Sequence, residues 1–329
     1  MWRYLFSRIT LFMATSLIMI AVLFMASGQF PVSKAYSLSG IQYPTIEQQQ
    51  QIEQDYQLQD NQLLQFTAYL RQRLSGNFGI SSNSQQEVLE ELEAVLPASF
   101  ELSLFSGFIA VFFGVPIGIL AALSTNKALQ NSILAVTLTG YSIPVFWLGL
   151  SLSMWFGVNL GWLPISGQIN LLYEIEPVTG FMLIDTLLSE STYRIPAFHD
   201  ALLHLILPAV TLAVLPFTLV VRITRQAILN VMNQTYIRAA EARGLHTAKI
   251  LFRHVLPNAL IPVIKSIGLM LGSFASYGIV VEVIFSWPGV GSWLVSGIYQ
   301  RDYTAIQGGL IVLSTFIFIV HIIIDFVYA

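Results

Sequence analysis

The chain has 329 residues, of which 55% are hydrophobic and only 10% are charged, with a net charge of −3. Soluble domains carry about a quarter charged residues, so this composition excludes a soluble globular domain and predicts a polytopic all-α integral membrane protein. The sequence contains no cysteine, which excludes a disulfide, a thiolate metal site and a cysteine nucleophile.

Six apolar segments are each long enough to cross a bilayer core as a helix. The first is expected to be retained, since a cleaved signal peptide has a shorter apolar region and a small-residue cleavage motif. Gly114 and Gly118, four residues apart in the second segment, allow close helix packing, and Pro144 lies near the middle of the third. The segments are predicted at residues 9–27, 100–123, 132–160, 204–223, 259–285 and 306–329.

Basic residues predict the orientation. An N-terminus in the cytoplasm places ten Lys and Arg on the inner side and five on the outer side, as the positive-inside rule requires. The predicted division is a cytoplasmic N-terminus with the first helix (1–27), a periplasmic insertion (28–97) and a five-helix core (98–329). The insertion is expected to be a small folded element with an amphipathic helical pattern, and a disordered linker is the alternative; the pattern residues are Ile52, Leu58, Leu63, Phe66, Leu70 and Leu74.

The most basic stretch of the membrane-like half is Tyr236–Pro257, YIRAAEARGLHTAKILFRHVLP. It is predicted to form two short helices, the first capped by Thr235 and ended by Gly244, the second capped by Thr247 and stopped at or before Pro257. Alone, a basic helix–turn–helix would favour DNA binding, but apolar segments flank this one closely. A cytoplasmic loop that presses on a partner protein is preferred, and no nucleic acid is expected. A loop that only fixes topology is the alternative.

This stretch resembles the "EAA" loop of ABC-transporter permeases, which has Glu-Ala-Ala, three residues, Gly, then nine residues before Ile-x-Leu-Pro. Arg238 stands where the signature Glu would be and His254 where the Ile would be. Ala240–Leu245 resembles the Ala-x-x-x-Gly-Leu of the dipeptide and oligopeptide permeases. The resemblance implies an ATPase-coupling loop at residues 235–257, carried by Arg238, Ala239, Ala240, Glu241, Gly244, Leu245, Leu256 and Pro257.

Three further stretches resemble the peptide permeases. YLRQRLSGNFGIS at 69–81 has Asn77 in place of the usual Asp, and FSWPGVG at 285–291 is followed by Arg301-Asp302-Tyr303. GWLPISGQINLLYEIEPVTGFMLID from Gly161 resembles the membrane subunits of the Sap transporters, associated with sensitivity to antimicrobial peptides, more than generic dipeptide permeases. The resemblance implies the six-helix fold of type I importers in the bacterial inner membrane. It also implies a second homologous permease, two cytoplasmic ATPases and a periplasmic solute-binding protein as partners.

No motif for covalent chemistry is present. The chain lacks G-x-x-x-x-G-K-[ST], so ATP and Mg²⁺ are expected on partner subunits, and its five histidines are spread over different segments. Glu282 precedes a predicted helix break, which is tolerated at membrane depth only against protein or a water-filled cavity. Glu282, Trp287, Pro288 and Gly289 are therefore candidate pathway residues, with an ion pair within a subunit interface as the alternative for Glu282.

Two other function classes compete with the ABC permease. A proton-coupled secondary transporter would use Glu282, His321 and Asp325 as a relay, although the last two are expected to be interfacial and no matched broken-helix repeats are visible. A membrane-anchored regulator would use the basic stretch on nucleic acid. Within the ABC class, peptides or small cationic solutes are expected, and polyamine export is an alternative. The chain ends at Ala329 without the basic tail usual in the resembled family, which favours an incomplete C-terminal end.

Overall fold

The computed structural model describes residues 2–328, and the side chains of residues 2–5, 247, 265–273, 275, 321 and 323–328 lie outside the described set. The regular secondary structure of the described part is helical, apart from one isolated bridge between Ile80 and Glu87, and loops connect the helices. Two π-helical turns, Ser153–Asn159 and Leu251–Val255, continue α7 and α11. The α-helices are α1 (Trp2–Ser27), α2 (Lys34–Ser39), α3 (Ile46–Asp55), α4 (Gln62–Leu74), α5 (Val88–Leu123), α6 (Lys127–Ser142), α7 (Val145–Leu152), α8 (Met182–Leu188), α9 (Arg194–Met232), α10 (Thr235–Ala242), α11 (Thr247–Ile250), α12 (Leu256–Ile284), α13 (Val290–Gln300) and α14 (Tyr303–Tyr328).

The all-α membrane architecture is confirmed. In the described part, α1, α5, α9 and α14 are each long and apolar enough to cross a bilayer, and α6 with α7 forms a fifth, bent candidate. The predicted fifth span corresponds to α12, which has 29 residues and several side chains outside the described set. The count of six spans stays a prediction.

The predicted third span is not one continuous helix. The axis of α6 and that of the helix beginning at Val145 differ by 103°. Ile143 is extended, as expected before a proline, and Pro144 takes the N-cap position of α7. Because proline has no N–H to donate to the preceding turn, the helix breaks there.

Backbone contacts divide the chain into two compact units, residues 2–99 with 288–327 and residues 100–287. In the first unit, α2, α3 and α4 fold the polar segment against α1 and α14. Its buried core includes Phe24 of α1, Leu38 of α2, Ile52 of α3, Tyr69 of α4 and Ile311 of α14. The segment is therefore folded.

The buried face of α4 differs from the predicted apolar pattern. Phe66 and Leu70 pack against the core, but Leu63 and Leu74 are 71% and 76% exposed. Gln65 and Arg73 are buried instead. Both form hydrogen bonds to protein groups, as when Gln65 Nε2 donates to the carbonyl of Asp60 at 2.8 Å, although Arg73 Nε has no partner among the described residues.

Arg73 holds the polar segment together. Its guanidinium donates to the carbonyls of Asn77 (2.7 Å) and Leu38 (3.1 Å) and lies 4.6 Å from the centre of the Tyr69 ring. Burial raises the pKa of the neighbouring Tyr56 hydroxyl, which donates to Leu38 as well. The segment thus depends on one buried cation for contacts that join α2 to the end of α4.

Arg73→Met is expected to loosen this segment while the membrane helices stay folded. The variant keeps the aliphatic stem but removes the guanidinium donors to the Asn77 and Leu38 carbonyls, and a hydrogen bond from a charged group contributes about 1.5–3 kcal/mol. Hydrogen exchange of the purified full chain should therefore quicken across α2 and α4. Arg71→Met is the control, since Arg71 is exposed on the same helix. Equal protection in both variants would show that Arg73 has no such role.

In the second unit, α5 packs closely against α9. A Cβ atom placed on Gly118 would lie 2.6 Å from Thr224 Cβ and 2.8 Å from the carbonyl oxygen of Val221, and one on Gly114 would lie 2.9 Å from Val220 Cγ1. Real side chains do not approach this closely. The predicted close helix approach at the Gly114 and Gly118 spacing is confirmed.

Candidate coupling loop and buried carboxylates

The first helix of the coupling loop is α10. Thr235 was expected to cap it, but the cap position belongs to Gln234, whose backbone is extended and whose carbonyl accepts from the Ile237 N–H at 3.1 Å. Thr235 is already helical, so the cap prediction is wrong. No side-chain hydrogen bond from Gln234 replaces it in the described structure.

Two side chains anchor α10 to the membrane helices. Ile237 is fully buried and Ala240 is 8% exposed, and both belong to a core cluster with Ile228 of α9 and Ala259 of α12. Leu245 and Leu256 pack against the same cluster and are partly buried. These apolar contacts pack α10 closely against the adjoining ends of α9 and α12.

Gly244 ends α10 as predicted. Its φ is +74°, its N–H donates to the carbonyl of Glu241 at 2.8 Å, and the N–H of Leu245 donates to that of Ala240 at 3.3 Å. This pair of bonds is the Schellman arrangement, which needs a left-handed residue after the helix. The prediction of a positive φ at Gly244 is confirmed.

The second half of the loop continues through a π turn into α12 rather than stopping at Pro257. Thr247 begins α11, but its side chain, predicted to be a cap, lies outside the described set; the N–H of Ala248 donates to His246 Nδ1 at 3.3 Å. A π turn follows, and α12 starts at Leu256 with Pro257 in its first turn. Proline is tolerated there because first-turn N–H groups have no intrahelical partner.

The outward face of the loop is charged. Arg238, Ala239, Glu241 and Arg243 are exposed on or beside α10, and Pro257 is exposed at the start of α12. The predicted coupling residues therefore separate into an anchored set, Ile237 and Ala240 with Leu245 and Leu256 beside them, and an exposed set. Ile237 was missed, although an apolar residue three positions before Ala240 is a helical-face signal.

The predicted pathway residues are divided between the two units. Glu282 and Trp287 are 4% and 1% exposed within the unit of residues 100–287. After α12 the chain turns at Ser286, whose φ is +48°, and the Trp287 N–H donates to the carbonyl of Glu282 at 2.8 Å. Pro288 and Gly289 lead into α13 in the other unit, and the side chains of His321 and Asp325 lie outside the described set.

A second buried carboxylate was missed. Glu101 of α5 is 3% exposed; its Oε1 accepts from the Leu183 N–H at 2.9 Å, and its Oε2 has no hydrogen-bond partner among the described residues. Asp185, 2% exposed, accepts from the hydroxyl of Thr179 at 2.7 Å. The sequence signal that could have identified Glu101 was a lone carboxylate just inside the apolar segment 100–123.

No group of three or more His, Asp and Glu in the described part could hold a metal ion.

Residues 114–329 match the family described as "Binding-protein-dependent transport system inner membrane component". The chain belongs to this family. It is a multi-pass inner-membrane permease of the ABC-transporter class, in the peptide-transport group.

The relatives of this permease carry two kinds of name. It is 43% identical to the "Di/tripeptide transport system permease protein DppB" of Pseudomonas aeruginosa, over 80% of this chain and 78% of the relative. It is 44% identical to the "Putrescine export system permease protein SapB" of Escherichia coli K12, over 76% and 78%. It is 43% identical to the "Peptide transport system permease protein SapB" of Salmonella typhimurium, over 77% and 78%.

The fold of this permease is similar to that of a solved ABC transporter. Inward-facing structures of the MetNI methionine ABC transporter match 70% of this chain and 91% of the solved chain, with a TM-score of 0.51 at 18% identity. A likeness at that identity shows the fold alone.

Proposed function

We propose that this permease is the membrane-spanning subunit of an ATP-driven transporter that moves peptides or small cationic solutes across the bacterial inner membrane. The observation that carries this proposal is α10, whose buried side packs on α9 and α12 while its other side is exposed and charged. Such a helix can transmit a displacement from a cytoplasmic partner to α9 and α12. ATP and Mg²⁺ would be bound by two partner ATPases, and the chain itself would do no covalent chemistry.

The remaining partners follow from the family. A second homologous permease would complete the path through the lipid bilayer, and a periplasmic solute-binding protein would deliver the solute. The peptide names of two relatives support peptides as cargo, and the putrescine name of a third supports polyamine export as the alternative. With either cargo, the loop at residues 235–257 would couple ATP hydrolysis to transport.

Removing the charge of Glu241 is expected to weaken retention of the ATPases without unfolding the permease. Glu241 is exposed, and its one suitable helical partner is Arg238, three residues earlier; such a pair contributes only about 0.2–0.5 kcal/mol. A charge enclosed at a protein interface costs about 2–5 kcal/mol when its partner is lost. Affinity purification of the tagged permease should therefore recover less ATPase with Glu241→Gln and still less with Glu241→Lys.

The control is Glu47→Gln, which removes an exposed carboxylate from α3 in the other unit. If wild-type permease brings down no ATPase at all, the proposed function fails. If both Glu241 variants hold their ATPases through a salt wash as wild type does, Glu241 is only a surface residue.

Cysteine labelling tests the proposed orientation, in which the N-terminus and the coupling loop are cytoplasmic. The chain has no cysteine, so single cysteines report alone. Gln49, Ser166 and Ala248 are all exposed, which makes their reactivity comparable. A membrane-impermeant thiol reagent on intact spheroplasts should label Gln49→Cys and Ser166→Cys and spare Ala248→Cys until the cells are lysed. Labelling of Ala248→Cys before lysis would reverse the orientation.

A further inference from the structure

A groove of about 300 Å³, lined by both polar and apolar residues, lies within the unit of residues 2–99 and 288–327. It is lined by residues of α13 that include Ser292, Trp293 and Ser296 and by the first part of α5 with Glu91 and Val95. The volume is at the small end of the range for small-molecule sites. The family match assigns no role to it, and two of the predicted pathway residues, Pro288 and Gly289, are among its lining residues.

The charge of the groove is wholly negative. Glu91 and Asp302 are the only ionisable side chains among the described residues that line it. Asp302 is 1% exposed and fixed in place: its Oδ2 accepts from the Ser81 hydroxyl at 2.7 Å and its Oδ1 from the Ala305 N–H at 3.0 Å. It therefore acts on a ligand through its charge rather than through a direct bond.

Glu91 is the carboxylate that is able to bind a ligand directly. Its Oε2 accepts from Trp293 Nε1 at 3.1 Å, which orients the side chain, while Oε1 has no donor in the part of the chain that the structure describes. Glu91 is half-buried, so it is shielded on one side and accessible on the other. A partly shielded charge with one open oxygen favours a ligand that donates hydrogen bonds.

The α13 residues that line the groove also present an acceptor. The hydroxyl of Ser296 donates its hydrogen to the carbonyl of Ser292 at 2.9 Å, which leaves the Ser296 oxygen as an acceptor. At the start of α13, the Val290 N–H already donates to Ser99 Oγ at 2.8 Å, so that amide is not offered to an anion. The negative charge and the hydrogen-bond acceptors of the groove therefore match a ligand group that has several hydrogen-bond donors and no acceptor.

We propose that this groove binds a primary alkylammonium group. The ammonium pairs with Glu91 Oε1 and donates a second hydrogen to Ser296, and Trp293 gives the alkyl chain an apolar wall. The same chemistry is carried by a free amine solute and by a lysine side chain of the solute-binding protein. Only the second source rests on the proposed function.

Binding is measured on the full chain in lipid nanodiscs, labelled with 5-fluorotryptophan. Trp293→Phe assigns the Trp293 fluorine resonance among the six tryptophans. Butylammonium should shift that resonance saturably, and neutral n-butanol should not. Glu91→Gln should weaken butylammonium binding about tenfold or more, since charge-assisted bonds are the strong ones. Glu93→Gln, an exposed carboxylate on the same helix, should bind as wild type does.

A second arm identifies the source of the ammonium. A zero-length carbodiimide is added with the solute-binding protein, where it can join the Glu91 carboxylate to a nearby lysine amine. A conjugate that disappears in Glu91→Gln assigns the lysine source, and saturable butylammonium binding without a conjugate assigns a free amine.

The inference is overturned if butylammonium leaves the Trp293 resonance unshifted, or if the shift persists in Glu91→Gln. Because these measurements use no ATPase, they are independent of the co-purification test. Loss of ATPase binding with retained butylammonium binding would remove the proposed function and leave the groove assignment intact.

Discussion

Replacing Gly118 with leucine is expected to prevent α5 from packing against α9 and to leave little folded permease. A Cβ atom placed on Gly118 would lie 2.6 Å from Thr224 Cβ and 2.8 Å from the carbonyl oxygen of Val221, and leucine adds three more carbons to the same space. Overpacking of a close-packed site typically costs about 1–3 kcal/mol, and here a backbone atom cannot turn aside. Gly118→Ala should show an intermediate effect. Thermal unfolding in detergent, followed by fluorescence-detected size exclusion, measures both variants.

Gly107 provides the control on the same helix. A Cβ atom there meets nothing closer than Phe274 ring atoms at 3.9 Å, which is ordinary contact. Gly107→Ala should therefore melt close to wild type and gain slightly in helix propensity. If Gly118→Leu also melts like wild type, α5 and α9 do not approach as closely as described.

Replacing Gly244 with valine is expected to reduce the stimulation of ATP hydrolysis by solute, while the permease still inserts into the membrane. Gly244 has φ +74°, and among the described residues, apart from Gly244 and its chain neighbours, no atom lies within 4 Å of a Cβ placed there, so that atom meets no clash. The cost is therefore in the backbone, about 1–2 kcal/mol for an ordinary residue in the left-handed region and more for a β-branched one. The turn that sets the end of α10 would relax, and solute-stimulated ATPase activity of the purified complex should fall.

Gly244→Asn separates this backbone effect from the mere presence of a side chain. Asparagine enters the left-handed region more readily than other residues that carry a Cβ, so this variant should keep most of the stimulation. If valine and asparagine reduce stimulation equally, the conformation at Gly244 is not what matters. If neither reduces it, the end of α10 plays no part in coupling.

The local structure of the coupling loop could be predicted from sequence because its signals lie close together in the chain. The Gly244 turn depends on hydrogen bonds within six residues, and the structure confirms it. The Thr235 cap was wrong by one position, since a helix boundary depends on which carbonyl first accepts a bond and Gln234 supplies it. The roles of the individual loop residues stay predictions.

Features that depend on distant contacts could not be predicted. Pro144 was visible, but a proline within a membrane span can kink it or break it, so the 103° bend was not foreseeable. On α4, Arg73 is buried because a carbonyl 35 residues earlier accepts from it, which no periodic pattern records. The groove likewise joins Glu91 to Trp293, 202 residues apart, and only folding shows that they meet.

The core that α2, α3 and α4 share with α14 has a consequence for how the protein is made. Tyr69 donates to Gln307 Oε1 at 2.9 Å across 238 residues, and Gln307 Nε2 donates back to the carbonyl of Ser37 at 3.1 Å. At about 5–20 residues per second, translation takes roughly 10–50 s to cover that interval. Until α14 emerges, Tyr69 lacks the partner that satisfies it in the finished protein. The segment formed by α2, α3 and α4 can therefore complete its core only after the ribosome has synthesised the start of α14, and until then it is exposed to proteases and aggregation.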